Sequence, residues 1–416
     1  MNRLNSGLKS SGCWPKSIPP GSSTNQQRMK LAALAAGGVL LLQLSAQSFA
    51  QGWTFAIAPK TNWYGIASSA DASKLAAITY APSGIHISTD GGTNWEPSSA
   101  ALTNYQDIAI SADGTKLIAV AEAVHISTNA GTTWKTSAGT LSTNGPWSSV
   151  ACSADGTKLV VVGFQGTISS TDSGATWANY ESPYFFQVAC SADGTKLVAG
   201  SSPAGICTST NLGATWTRTS LPVDLLSGFA CSADCTRLVA SSWSYNIGGP
   251  ISISTNFGAT WTETTAGNRY WANFASSADG SVLAAGSGTY LSVDAGATWS
   301  YIGSAGNYMR SVVLSADGGK LVVAAQGAES SGLYDGTIYF RQAVANPVLE
   351  LRCSNTNLIL SWLVPSRQFL LQSSLAITNG NWTEITTTAT PDWGTLRYEV
   401  ALPKPSATTF YRLVSE

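Results

Sequence analysis

The sequence predicts an all-β protein: a seven-bladed β-propeller of four-stranded blades, closed by a strand from the N-terminal side and followed by a small β-sandwich. Three observations carry this. An eight-residue pattern ending in Trp occurs six times, at Ser88–Trp95, Ser127–Trp134, Ser170–Trp177, Ser209–Trp216, Ser254–Trp261 and Ser292–Trp299, with a spacing of 38 to 45 residues. A second pattern, Ser-Ala-Asp-x-x-Lys/Arg-Leu or a close variant, occurs seven times, beginning at Ser69, Ser111, Ser153, Ser191, Ser232, Ser277 and Ser315. Repeats of about forty residues built from short apolar runs are the signature of radially arranged sheets. Composition agrees: 40 glycines and only 11% charged residues suit turn-rich strands better than helices.

Each repeat resolves into four strands. An apolar run such as Ser149–Cys152 precedes the Ser-Ala-Asp turn, and a second, Leu159–Val162, follows it. Five of the seven turns carry Asp-Gly, a dipeptide that accepts the left-handed backbone of a tight hairpin. A third strand leads to the Trp-ended turn and a fourth leaves it. Seven turns of the first kind meet six of the second, so the last repeat, through Leu321–Ala325 and Gly336–Phe340, lacks its fourth strand. Gly52-Trp53-Thr54-Phe55 has the look of that strand and is expected to supply it, removing an open sheet edge.

The pattern S-x-D-x-G-x-T-W resembles the Asp-box, or bacterial neuraminidase repeat, across essentially all of residues 52–342. The resemblance implies a propeller of the superfamily that includes sialidases, xyloglucan-cleaving hydrolases, sortilin-type receptors and photosystem II assembly-factor-like proteins. It also implies that the box is a structural turn away from any active site. The residues agree. The third position alternates between Asp90, Asp172 and Asp294 and Asn129, Asn211 and Asn256, an exchange that catalytic or metal-binding carboxylates would not tolerate. An Asx side chain there can pin the turn, and Trp95, Trp134, Trp177, Trp216, Trp261 and Trp299 are expected to fill space between sheets.

At the N-terminal end, Arg28 and Lys30 precede the apolar stretch Leu31 to Leu44, and Ser48-Phe49-Ala50 places small residues where signal peptidase cuts. Residues 1–50 are therefore expected to be a signal peptide with a polar extension, with translation starting at Met1 or Met29. Residues 51–343 form the propeller, 344–347 a linker and 348–416 a module whose alternating runs resemble fibronectin type III-like domains. The product is expected to be exported (periplasmic, secreted or surface-associated) and monomeric, with no membrane span in its mature chain. A net charge of −1 without a basic stripe argues against nucleic acid as a partner. No cofactor or metal is expected. Cys152, Cys190 and Cys231 share one repeat position and read as small buried residues on blades too far apart to bridge, whereas Cys231 and Cys235 flank one turn and could pair.

Both repeated turns lie on one rim, so the non-repeating loops lie on the other, where binding residues are expected. Six residues before each Ser-Ala-Asp serine stand Trp63, Tyr105, Trp147, Phe185, Leu226, Trp271 and Met309. These are expected either to ring the central opening, with Trp243, Tyr245, Tyr270 and Tyr308 extending the ring as a sugar- or peptide-gripping surface, or to pack blade against blade. Charges near the variable loops are few: Asp107, Glu122, Glu181, Asp224, Glu329, Asp335, Arg269 and Arg310. A glycoside hydrolase needs two carboxylates at a defined separation, and Asp107 with Glu181 is one such combination, though no pattern singles it out. The resemblance supplies a sharper test for sialidases, which use three arginines and a Tyr/Glu pair. Only Arg218, Arg237, Arg269, Arg310 and Arg341 lie in the propeller, Arg237 sits in a turn of the regular rim, and the early Arg-Ile-Pro motif is missing. Xyloglucan-cleaving relatives use two propellers, and this chain has one. His86 and His125 share one slot before successive boxes and read as structural. The sequence thus favours a non-enzymatic propeller that binds a polysaccharide or a protein on its variable rim, with a glycoside hydrolase as the alternative.

Overall fold

The computed structural model describes residues 52–80, 84–139, 146–201, 205–221, 226–242, 248–286, 289–303, 308–326, 336–342, 348–354, 357–365, 369–376 and 381–415, and the backbone of 28–34 and 39–45. It is all-β. Seven four-stranded antiparallel sheets follow one another through residues 63–97, 107–136, 147–180, 187–218, 226–263, 272–301 and 308–342. The first is Trp63–Ser68, Leu75–Thr79, Gly84–Ser88 and Glu96–Pro97, paired in that order from the axis outwards. The last takes its outer strand from Thr54–Phe55, which pairs with Phe340 and Tyr339. Trp53, just before it, packs into the cluster of Leu291, Val312 and Val323, the place a box tryptophan takes elsewhere.

The Ser-Ala-Asp turns meet at the axis. The amide of each alanine donates to the carbonyl of the next: Ala70 to Ala112, Ala112 to Ala154, Ala154 to Ala192, Ala192 to Ala233, Ala233 to Ala278, Ala278 to Ala316, and Ala316 back to Ala70, at 2.6–2.9 Å. The circle is closed by backbone alone. Within each turn the serine hydroxyl donates to the aspartate (Ser153 Oγ to Asp155 Oδ1, 2.5 Å) and accepts the amide of the residue five positions on (Lys158, 3.0 Å). The lysine then reaches the neighbouring turn, as with Lys158 Nζ to Asp193 O and Lys74 Nζ to Asp113 O. Lys320 closes the seam, bonding Ala72 O and Gly91 O of the first blade.

The Trp-ended turns form an outer version of the same device. In all six, the box serine donates to the Asx oxygen and accepts the glycine amide, as in Ser170 with Asp172 (2.7 Å) and Gly174 (2.8 Å). The Asp/Asn alternation has a simple chemical cause. Where the residue is Asp, the side chain four positions on donates to it, a threonine hydroxyl in two boxes (Thr176 to Asp172, Thr298 to Asp294) and the Asn94 amide in the first (to Asp90). Where it is Asn, its amide donates to the threonine hydroxyl (Asn129 to Thr133, Asn211 to Thr215, Asn256 to Thr260). Hydroxyls serve both directions, so the turn closes either way. These bonds hold the Asp172 carboxyl at about 2, with the Thr176 hydroxyl and amide the largest contributors.

Residues 348–415 form a two-sheet sandwich, with Glu350–Cys353, Asn357–Leu363, Arg397–Pro403 and Thr390–Asp392 in one sheet and Phe369–Ser374, Thr383–Glu384 and Thr409–Ser415 in the other. Leu358, Leu360, Trp362, Leu371, Val400 and Tyr411 fill the space between. The apolar run read as a signal peptide forms the hairpin Arg28–Leu34 and Val39–Ser45, laid parallel along Thr409–Tyr411. A leucine-rich strand thus pairs along an edge of this sheet; Ser48–Ala50 and the linker 344–347 lie outside the described residues.

Ser170→Ala tests the outer turns. It leaves the buried Gly174 amide without its acceptor and is expected to cost about 1–3 kcal/mol in urea unfolding. Asn129→Asp is expected to be close to neutral, since the Thr133 hydroxyl can reverse its role.

Candidate functional site

The loops joining second to third strands, and each blade to the next, lie on the rim opposite the Ser-Ala-Asp turns because antiparallel strands alternate in direction. Among the described residues, four aromatic side chains on this rim face solvent. Phe164, 64% exposed, lies flat on Tyr184, with ring centroids 4.1 Å apart and planes 10° from parallel. Tyr80 is 61% exposed and lies 6.2 Å from Tyr64, and Tyr270 is 53% exposed. Leu102 adds an exposed aliphatic side chain on the same rim. Glu122, Glu181, Arg269 and Arg310 are exposed as well. Trp243, Tyr245, Asp224, Glu329 and Asp335 lie outside the described residues, and Tyr308 is described in its backbone alone.

The repeated aromatics of the innermost strands sit elsewhere. Trp63, Tyr105, Trp147, Phe185 and Trp271 are all at most 4% exposed, and Leu226 is buried with them. Each is wedged against the preceding blade: Trp63 packs with Val322 and Ile338 of the last sheet, Tyr105 with Ile78 and Ile85 of the first. Several meet the box tryptophans there. Centroids are 5.8 Å apart for Trp63 and Trp95, 4.7 Å for Phe185 and Trp216, and 6.3 Å for Trp271 and Trp299. Strand alternation misplaces these side chains because a bulge follows several of them, between Trp63 and Gly65, Trp147 and Ser149, Leu226 and Gly228, and Met309 and Ser311. A one-residue slip reverses facing. His86 and His125 support the wedges, edge-on to Trp63 at 5.2 Å and Tyr105 at 5.5 Å, and burial lowers both imidazole pKa values.

In five blades the residue two positions after the wedge (Asp107, Ser149, Gln187, Asn273 and Ser311) stitches neighbouring innermost strands together. Asp107 Oδ2 accepts the Ser149 hydroxyl (2.6 Å) and the Val150 amide (3.0 Å), while Oδ1 accepts the Ile108 amide (2.8 Å). Ser149 in turn accepts the Val188 amide, Gln187 donates to Phe229 O, Asn273 to Met309 O, and Ser311 accepts the Ile66 amide. Asp107 Oδ2 therefore joins the second blade to the third, while Oδ1 is bonded to the next residue of its own strand. Desolvation nevertheless raises its pKa, outweighing those three bonds. Sequence reasoning grouped Asp107 with loop charges; the serine at the equivalent position of the next blade is the signal that points to a stitch.

Nearer the alanine ring the channel holds a cavity of about 210 Å³ whose walls include Ile110, Cys152, Cys190, Cys231, Leu314 and the seven alanines. Cys152, Cys190 and Cys231 are half-buried, packed against the interblade clusters on one side and lining this space on the other. Burial pushes the Cys152 thiol up to about 12 and that of Cys190 upward too. The Cys231 and Cys235 sulfurs are 2.7 Å apart, and Cys235 holds φ +51° where five other turns have glycine. Among the described residues no group of three or more His, Cys, Asp or Glu side chains is arranged to hold a metal ion.

The raised Asp107 pKa has a definite sign. Its protonated form is favoured in the folded state, so its contribution to stability is complete below 3.8 and is lost as pH rises through the folded-state value. Relative to Asp107→Asn, the wild type is expected to lose stability from pH 4 upward in paired urea titrations. Asp172 acts oppositely: its contribution is present above 3.8 and lost as pH falls towards about 2.

No protein-family model matches the chain, and no curated protein matches it. Among solved structures it is similar to the GH74 xyloglucanase of Xanthomonas campestris, at 14% identity and TM-score 0.54 over 75% of this chain. The match spans only 59% of that enzyme's length. It is similar also to YCF48 of Cyanidioschyzon merolae (15% identity, TM-score 0.55, 70% of this chain and 99% of that one). A third likeness is to hydrazine synthase of Kuenenia stuttgartiensis (14%, TM-score 0.55, 68% and 96%). At such identities the likeness establishes the β-propeller fold and leaves activity to the residues themselves.

Proposed function

We propose that the protein is an exported, non-enzymatic propeller that binds a polysaccharide or protein partner on its variable rim. One observation carries this reading: the solvent-facing aromatics of the described rim, the stacked Phe164–Tyr184 platform among them. Flat apolar faces suit pyranose rings and apolar peptide side chains, and a stacked pair presents its outer face at little entropic cost. The six turn motifs, which resemble Asp-boxes, serve as scaffold in this reading. The propeller likeness is shared by an enzyme and by YCF48, so fold alone does not choose between them.

The buried state of Asp107 supports the non-enzymatic reading, since a general acid or base must reach substrate and its oxygens are already bonded, Oδ2 to the neighbouring inner strand and Oδ1 to the Ile108 amide. The hydrolase alternative keeps a direct test. Release of reducing ends from glycans by the mature protein, abolished in Glu181→Gln, would establish it.

Glycan-array and pull-down binding by Phe164→Ala and Tyr80→Ala is expected to fall at least about tenfold while the melting temperature stays near wild type, because both side chains are mostly exposed. Trp147→Ala and Trp271→Ala should behave in reverse, losing about 3–5 kcal/mol of stability through cavity formation. Unaltered binding in the first pair would remove the rim aromatics from the site. Export is tested by sequencing the secreted product, which is expected to begin at Gln51.

A further inference from the structure

The third strand of the last blade, Thr337–Gln342, runs towards the regular rim, where every other blade makes its Trp-ended turn. Here the chain instead leaves the propeller, and the sandwich begins six residues later, at Val348. Six residues span at most about 22 Å, so the module is held near the mouth of the channel on that rim. Its tip meets the alanine ring. Val364, only 2% exposed, joins Ala70, Ala112, Ala154 and Ala316 in one buried cluster, with Trp393, Leu396 and Tyr398 packed on it. Leu396 also lines the thiol-walled cavity.

We propose that the C-terminal module is a built-in plug: the finger Trp393–Leu396, seated in the socket of seven alanines, closes the central channel at the regular rim, at the end that Cys152 and Cys190 line.

Three features favour a plug over a chance contact. The socket is apolar by construction, since every alanine amide and carbonyl in the ring is already bonded to its neighbour and methyl groups are what remains. The finger is shaped for it. Asp392 accepts the Gly394 amide and the Thr395 hydroxyl to fold a tight turn, and the Val364 amide bonds Leu396 O at 2.9 Å, tying the two apolar tips together. Leu396 itself holds φ +54°, a left-handed conformation that costs a branched side chain energy and that glycine would take freely. A leucine kept there is explained by what its side chain fills. Tyr398 fits the same seating, its hydroxyl pKa raised by burial and by Asp71 of the first Ser-Ala-Asp turn. A propeller plugged in this way has one open end, the variable rim, whatever that rim binds.

The test is N-ethylmaleimide labelling of the full-length native protein, followed site by site by mass spectrometry, with exposed Cys353 as internal control. Leu396→Asp places a charge in the socket; Leu396→Gly deletes the filling side chain while relieving the backbone, so it should fold at least as readily. With the plug seated, Cys152 and Cys190 label far more slowly than Cys353, and both variants raise their rates at least about tenfold without altering Cys353. Faster exchange of the Ala112 and Ala154 amides in the variants would accompany this. Equal Cys152 and Cys190 rates in wild type and both variants, or wild-type rates matching Cys353, would overturn the proposal.

Discussion

Seven amide-to-carbonyl bonds between alanines at the axis impose the condition on which the rest of this structure depends. A circle of donors and acceptors is satisfied only when it closes. The last turn must therefore come within hydrogen-bond reach of the first, across 246 positions of sequence from Ala70 to Ala316. That requirement explains why the central residue of the motif is alanine in every copy: seven backbones converging on one point leave room for a methyl group and little more. It also explains the lysines that carry the same circle outwards, with Lys320 joining the seam to Ala72 and Gly91. The strand Thr54–Phe55 then closes the outer side of that seam, and Trp53 fills the gap a seventh box would have filled.

Closing the ring at one rim divides the labour of the molecule. On the regular rim nearly every polar group is spent on turns and seams. On the variable rim the chain is free to differ from blade to blade, and there aromatic side chains reach solvent. Between the rims, two sets of large rings meet from opposite directions, the innermost-strand wedges and the box tryptophans, and together they fill the space that widens between diverging sheets. Neighbouring innermost strands, which share no backbone ladder, are joined instead by short side chains at one repeated position, from Asp107 round to Ser311.

The C-terminal module belongs to the same geometry. Because the last blade borrows its outer strand from the N-terminal side, the chain is released on the regular rim, beside the alanine socket. The position of the module is thus a consequence of how the ring was closed, and the left-handed Leu396 shows that its tip is fitted to the place it occupies.

Periodicity made much of this legible. The two turn motifs repeat because one supersecondary unit repeats, so the sequence by itself determined the all-β class, the strand order within a blade, the closing role of Gly52–Phe55 and the structural character of Asp172 and its counterparts. What the sequence could not carry were facings and convergences. A single bulge after Trp63 or Trp147 turns an apparent rim aromatic into an interblade wedge, and no local pattern announces a bulge. Phe164 and Tyr184 lie twenty residues apart in unlike loops and become one platform only when the blade folds. Cys152 and Cys190 read as small core residues and do pack there, but only the assembled ring shows that they also wall the channel. Sequence repeats report what each blade does within itself; only tertiary structure decides what blades do to one another, because those contacts join residues that share no period and no neighbourhood along the chain.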